Sequence, residues 1–123
     1  MLLRLGSFLW LLIICVLLFL PDDNLPSQEL IPHQDKIAHF VLFSVFSVLW
    51  LTAFRRNSLV KEKLTIVIIL LFGLILAGLS ELIQEKIPGR SADPVDFLID
   101  LIGLSAGMFF HFLIEKRNHS VMK

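Results

Sequence analysis

Three short stretches of this sequence hold most of the side chains that can do chemistry. "DKIAH" supplies Asp35, Lys36 and His39, "ELIQEK" supplies Glu81 and Gln84, and "PGRSADPVDFLID" supplies Arg90, Asp93, Asp96 and Asp100. Carboxyls and a histidine are the groups of acid and base catalysis. Arg and Lys supply donors for carboxylate or phosphate. Glu81, Asp96 and His39 are therefore the candidate catalytic groups. Asp35, Lys36, His39, Glu81, Gln84, Arg90, Asp96 and Asp100 form the candidate ligand-binding set. No Gly-rich phosphate loop and no established metal-ligand spacing accompanies them, so no metal and no cofactor is expected.

Spacing sorts these residues by role. Asp35 and His39 are four apart, hence on one helix face, where Asp35 is expected to fix the tautomer of His39. Asp93 before Pro94 has the form of a helix N-cap with proline at the first helical position, which puts Asp96 at the third, where an acid favours the helix dipole. Asp100 lies seven residues past that cap, roughly 10 Å along the helix, too deep for capping. Glu81 lies roughly 9 Å before the helix end expected ahead of Pro88. The "IPGR" at 87–90 reads as a turn, with Arg90 or Lys86 as the expected cationic partner of the acids, or Arg90 as a holder of lipid phosphate.

The elements that must position these groups belong in a bilayer. Of the 123 residues, 56% are hydrophobic and only 18% charged, more apolar than an ordinary soluble domain. The net charge of zero gives no electrostatic case for nucleic acid. A bilayer core about 30 Å thick needs roughly 20 apolar helical residues. Segments 5–20, 37–54, 64–83 and 95–114 approach that length, and Pro21, Pro26, Pro32, Pro88 and Pro94 all fall at or outside their ends. The expected fold is all-α, an integral membrane bundle of four antiparallel transmembrane helices forming a single domain over 1–123. "FLPDDN" offers no small-residue cleavage site, so the first segment reads as a retained helix and not a signal peptide. The single cysteine, Cys15, reads as inert apolar filling.

Four spans with both termini on one side put Arg4, Arg55, Arg56, Lys61, Lys63, Lys116, Arg117 and Lys123 against Lys36, Lys86 and Arg90. The richer side is expected to be cytoplasmic, so both termini are placed there and the polar cluster faces outward. On span four, Asp96, Asp100, Gly103, Gly107 and His111 form one stripe; on span three, Gly73, Ala77, Glu81 and Gln84 do the same. These two small-residue faces are expected to pack together and aim Glu81 and Asp100 inward. On span two, Phe43, Phe46 and Trp50 continue the stripe of His39 as packing or lipid contact. His33 and His119 carry no inferred role.

"DKIAHF" followed by "ELIQEKIPGRSADPVDFLIDLIGLSAG" resembles the VanZ-like family of small bacterial membrane proteins over about two thirds of the chain. The matching residues are Asp35, Lys36 and His39, then Glu81, Gln84, Gly89, Arg90, Asp96, Gly103 and Gly107; at Asp100 the family pattern more often has asparagine. The family is named for an accessory protein of glycopeptide resistance associated with teicoplanin, so the resemblance implies a bacterial cytoplasmic membrane and a role in the cell envelope.

Three functions compete. The first is a binding protein whose outward pocket takes a lipid head group, a lipid-linked cell-wall intermediate or a glycopeptide-related ligand, with Arg90, Lys36 and Lys86 on phosphate and the acids and His39 on head-group donors. The second is an integral-membrane enzyme on such a lipid, with Glu81 or Asp96 as general base and His39 as acid or base; a divalent ion on the carboxylates and His39 enters only as a variant of it. The third is transport, which would need an oligomer and a polar path through an inner half whose one ionisable side chain is His111. Expected partners are a membrane lipid or lipid-linked cell-wall intermediate and no nucleic acid, with homo-oligomerisation left open.

Overall fold

The structure, a computed structural model, describes residues 1–21, 33–54 and 59–121, with backbone alone over 59–61 and 118–121. Pro26, Pro32, Arg55, Arg56 and Lys123 lie outside the described residues, as do the side chains of Lys61 and His119. The described residues form four helices: α1 (Leu2–Phe19), α2 (Gln34–Phe54), α3 (Leu59–Gln84) and α4 (Pro94–Val121). No strand occurs among the described residues. Each helix is long and apolar enough to cross a membrane. The two segments that sequence left short gain length at their starts, so that α2 reaches 21 residues, or about 31 Å.

Local chemistry sets the helix ends. Leu20, the residue before Pro21, is extended at φ −72° and ψ 129°, as the proline ring demands of its neighbour, and α1 stops there. After α3, the Arg90 N–H donates to the Ile87 carbonyl at 3.1 Å. Gly89 between them has φ 79°. Pro88 followed by a left-handed glycine is the pattern of a type II turn, which reverses the chain in minimal length. Asp93 Oδ1 then accepts from the Val95 N–H at 2.9 Å, so α4 is N-capped as its Asp-Pro start predicts.

Cross-helix bonds give the directions. Arg4, Ser7 and Trp10 of α1 donate to the carbonyls of Ala53, Leu49 and Leu42, in descending order along α2. α1 and α2 are therefore antiparallel. Lys36, His39 and Thr52 of α2 meet Asp96, Asp100 and His111 of α4 in ascending order, so these two helices run the same way. Gln84 at the end of α3 bonds the Leu18 carbonyl at the end of α1, so sequential neighbours alternate, and the most extensive contact joins the parallel pair α2 and α4.

Glycines explain that pairing. A Cβ on Gly103 would sit 2.6 Å from the Phe40 carbonyl oxygen, and one on Gly107 would collide with the Ser44 carbonyl and the Ser47 hydroxyl. The GxxxG face of α4 therefore packs on α2, correcting the expectation that it would meet the small-residue face of α3. On α3, Gly73 accommodates Leu104 of α4 instead. Close backbone approach is what small residues permit in lipid, where helices gain no hydrophobic drive from one another.

The core collects Phe43, Phe46, Leu42 and Leu51 of α2 with Ile14, Leu18, Ile69, Ala77 and Leu104. Trp50 lies between Phe8 of α1 and Phe72 of α3, at ring centroid distances of 5.3 and 5.2 Å. The aromatic stripe of α2 is thus packing. Large apolar side chains such as Leu12, Ile68, Ile75, Leu98 and Phe109 remain more than a third exposed around the bundle. In water that would be an aggregation surface; in a bilayer it is the lipid-facing belt.

Candidate functional site

At the end where α2 and α4 begin and α3 finishes, a group of ionisable side chains is closed off from solvent. His39, Glu81, Asp96 and Asp100 are all buried, with relative exposures of 2%, 9%, 7% and 0%. His39 Nδ1 lies 2.9 Å from Asp100 Oδ1. The partner expected for this histidine was Asp35, one turn away on the same face. The structure gives it Asp100 instead, 61 residues later on the parallel helix. Asp35 stays 46% exposed at the rim, 3.6 Å from Lys36. The reason is geometric: Asp35 sits at the open start of α2, whereas the seam with α4 is where His39 points.

Lys36 is the cation of the site. Its Nζ donates to Asp93 Oδ2 at 2.7 Å and Asp96 Oδ1 at 2.8 Å. The lysine beside it holds the Asp93 carboxyl below its usual range, helped by the Val95 N–H. Asp93, read from sequence as a cap, is thus both cap and ion-pair partner, one oxygen serving each role. Glu81 Oε2 accepts the Asp93 N–H at 2.8 Å, tying the end of α3 to the start of α4. Glu81 Oε1 and Asp100 Oδ2 are buried with no hydrogen-bond partner.

Two members of the expected ligand set stand elsewhere. Gln84, only 2% exposed, donates to the Leu18 carbonyl at 3.0 Å. Arg90 donates to the carbonyls of Leu17 and Leu20, each at 3.4 Å. Both reach the C-terminal end of α1, whose last carbonyls have no donor within their own helix. The expectation that Arg90 or Lys86 would neutralise the acids is corrected accordingly, since the bond to Asp93 and Asp96 comes from Lys36.

The site as built is rich in negative charge. Asp35, Glu81, Asp93, Asp96 and Asp100 gather around one lysine and one histidine. One ligand atom each from His39, Glu81 and Asp96 lie within 4.8 Å of one another. Such a set can hold a cation, exchange protons, or accept hydrogen bonds from a ligand's amines and hydroxyls.

An apolar groove of about 270 Å³ runs beside the cluster, lined by His33, Lys36, Ile37, Phe40, Ile99 and Ile102. Sequence reading missed it, because Ile37, Phe40, Ile99 and Ile102 are indistinguishable from other lipid-facing residues. The available signal was position: each lies within three residues of Lys36, His39 or Asp100.

The chain is 32% identical over 88 residues to an uncharacterized protein of Schizosaccharomyces pombe, covering 71% of this chain and 52% of that protein. It therefore spans about half the length of that relative. No solved structure matches it. A family model described as VanZ/LLP1 matches residues 7–115, which reach into all four helices and include every member of the buried cluster. The chain is a multi-pass membrane protein of the VanZ/LLP1 family.

Proposed function

We propose that the protein binds a membrane lipid head group or lipid-linked envelope intermediate at the acid and histidine cluster, with the lipid's chain in the adjoining groove. The observation that carries this reading is the position of Lys36, which lines the apolar groove and also bonds the acids of the cluster. A ligand seated there would meet hydrocarbon on one side and fixed polar groups on the other, which is the division a lipid presents. The excess of carboxylates selects head groups that offer donors, such as sugars and amines, over bare phosphate.

The wider placement belongs to the same proposal. Eight basic residues against three support cytoplasmic termini and an outward-facing site. The family likeness supports a bacterial cytoplasmic membrane and a link to teicoplanin-type glycopeptide resistance.

The test is mass spectrometry of protein released gently from native membrane, comparing wild type with Lys36→Met and Ile102→Trp. Ile102→Trp fills the groove without touching a charge. The expected result is one lipid class enriched over a control membrane protein and reduced about tenfold in both variants, a loss near 1.4 kcal/mol. Equal lipid retention in all three proteins would overturn the reading.

A second reading, catalysis on the same lipid, is favoured by one observation. A histidine oriented by Asp100 faces a region where Glu81 Oε1 is buried and unpartnered, as an acid and base pair requires. It demands a product whose formation stops in Glu81→Gln while lipid is still bound.

A further inference from the structure

Each of the three clustered residues is pinned through one atom and has another to spare. His39 is held through Nδ1 by Asp100, which leaves Nε2 to carry the lone pair. Glu81 is held through Oε2 by the Asp93 N–H, leaving Oε1 buried without a partner. Asp96 is held through Oδ1 by Lys36, leaving Oδ2. A side chain fixed at one end with a free donor atom at the other is how a metal ligand is prepared. The carboxylate behind the histidine is the usual orienting partner of a metal-bound imidazole.

Geometry and energetics agree. Ions bound at about 2.0 to 2.4 Å place their ligands no more than about 4 to 5 Å apart. One ligand atom from each of His39, Glu81 and Asp96 lies within 4.8 Å of those of the other two. A buried carboxylate oxygen with no partner is costly. Glu81, 91% removed from solvent by its 9% exposure, presents such an oxygen to the cluster. Sequence spacing gave no metal motif because the three residues come one from each of α2, α3 and α4 and meet only in the bundle.

We propose that His39, Glu81 and Asp96 bind one divalent transition-metal ion of the Mn²⁺ or Zn²⁺ class, with Asp100 as the positioning residue for His39. One imidazole with two carboxylates is a borderline donor set that suits these ions better than Ca²⁺, which takes oxygen alone. Three helices would then share a common tie at the polar end. A bound ion would also weaken the negative field that the carboxylates present to an approaching phosphate.

This inference does not rest on lipid binding, so the two can fail separately. The protein is purified in detergent, stripped with chelator and delipidated, then dialysed against MnCl₂ or ZnCl₂ and its metal content measured. One ion per chain is expected. Affinity falls at least about tenfold in His39→Gln and Glu81→Gln and about 10 to 100-fold in Asp100→Ala. Glu85→Gln, an exposed acid near the same end, leaves it unchanged. Electron spin-echo modulation from an imidazole nitrogen on bound Mn²⁺ gives a readout on wild type alone, independent of how the variants fold. No retained metal, no nitrogen coupling, or wild-type affinity in both Gln variants would overturn the site.

Discussion

Two histidines, one toward each end of the α2 and α4 seam, are each set beside a carboxylate, and the pairs differ in kind. His39 meets Asp100 at 2.9 Å across two helices, with side-chain exposures of 2% and 0%. His111 meets Glu115 at 3.8 Å within one helix, four residues on, with exposures of 11% and 14%, and also bonds Thr52 at 3.2 Å. The second pair follows from helical spacing alone. The first exists only because α4 returns parallel to α2 and the two backbones touch at Gly103 and Gly107. A pair made by tertiary packing is shorter and drier, and its electrostatics are correspondingly stronger. Such a pair is where chemistry can be built; a pair made by helix periodicity is a contact within one helix.

The largest expected effect breaks that contrast directly. Asp100→Ala leaves His39 buried with its Nδ1 unpaired and is expected to cost about 3 kcal/mol of stability, the upper end for a buried donor without a partner. Glu115→Ala should cost about 1 kcal/mol or less. Reversible unfolding in mixed micelles measures both. Asp100→Asn sharpens the comparison, because the amide keeps a carbonyl at hydrogen-bond distance from Nδ1. Its cost should be under half that of Asp100→Ala. Equal losses for Asp100→Ala and Glu115→Ala would remove the distinction between the two ends.

The next effect tests why the seam exists. Gly107→Ala forces a methyl against the Ser44 carbonyl, which cannot swing aside, and is expected to destabilise by about 1 to 3 kcal/mol. Gly6→Ala on α1, where nothing lies within 4 Å, should instead be neutral or stabilising by up to about 1 kcal/mol from helix propensity. The same substitution with opposite signs would identify the α2 and α4 contact as the one that sets the bundle. If Gly107→Ala were harmless, the parallel seam would not be what brings Asp100 to His39.

Much of this was legible in the residues. Hydropathy located four helices because lipid imposes length and composition on each span separately. The Asp93-Pro94 start of α4 and the Pro88-Gly89 turn were legible because caps and turns depend on neighbours in sequence. Depth marked Glu81 and Asp100 as uncappable acids, and both prove buried in one cluster. What failed was partner choice: Asp35 for His39, Arg90 or Lys86 for the acids, and α3 for the GxxxG face. Each error used helix spacing or charge to guess a contact that depends on how the helices rotate about one another. Rotation follows from packing at Gly103, Gly107 and Gly73, where the decisive property is an absent side chain and the pattern does not name its partner.

The smallest effect concerns the rim of the cluster, where solvent still reaches. Asp93 is 37% exposed and paired with Lys36 at 2.7 Å, which lowers its carboxyl from the ordinary value near 3.8. A carboxyl depressed in the folded state contributes stability that is fully present above its unfolded value and disappears as pH falls through the folded one. The stability difference between wild type and Asp93→Asn should therefore be constant above about pH 5 and shrink below about pH 4. Asparagine retains an oxygen for the Val95 N–H, so the cap survives and the comparison isolates charge. Thermal unfolding of both proteins in the same detergent across that range measures it. A difference unchanged down to pH 3 would mean that the Lys36 to Asp93 bond contributes through geometry alone.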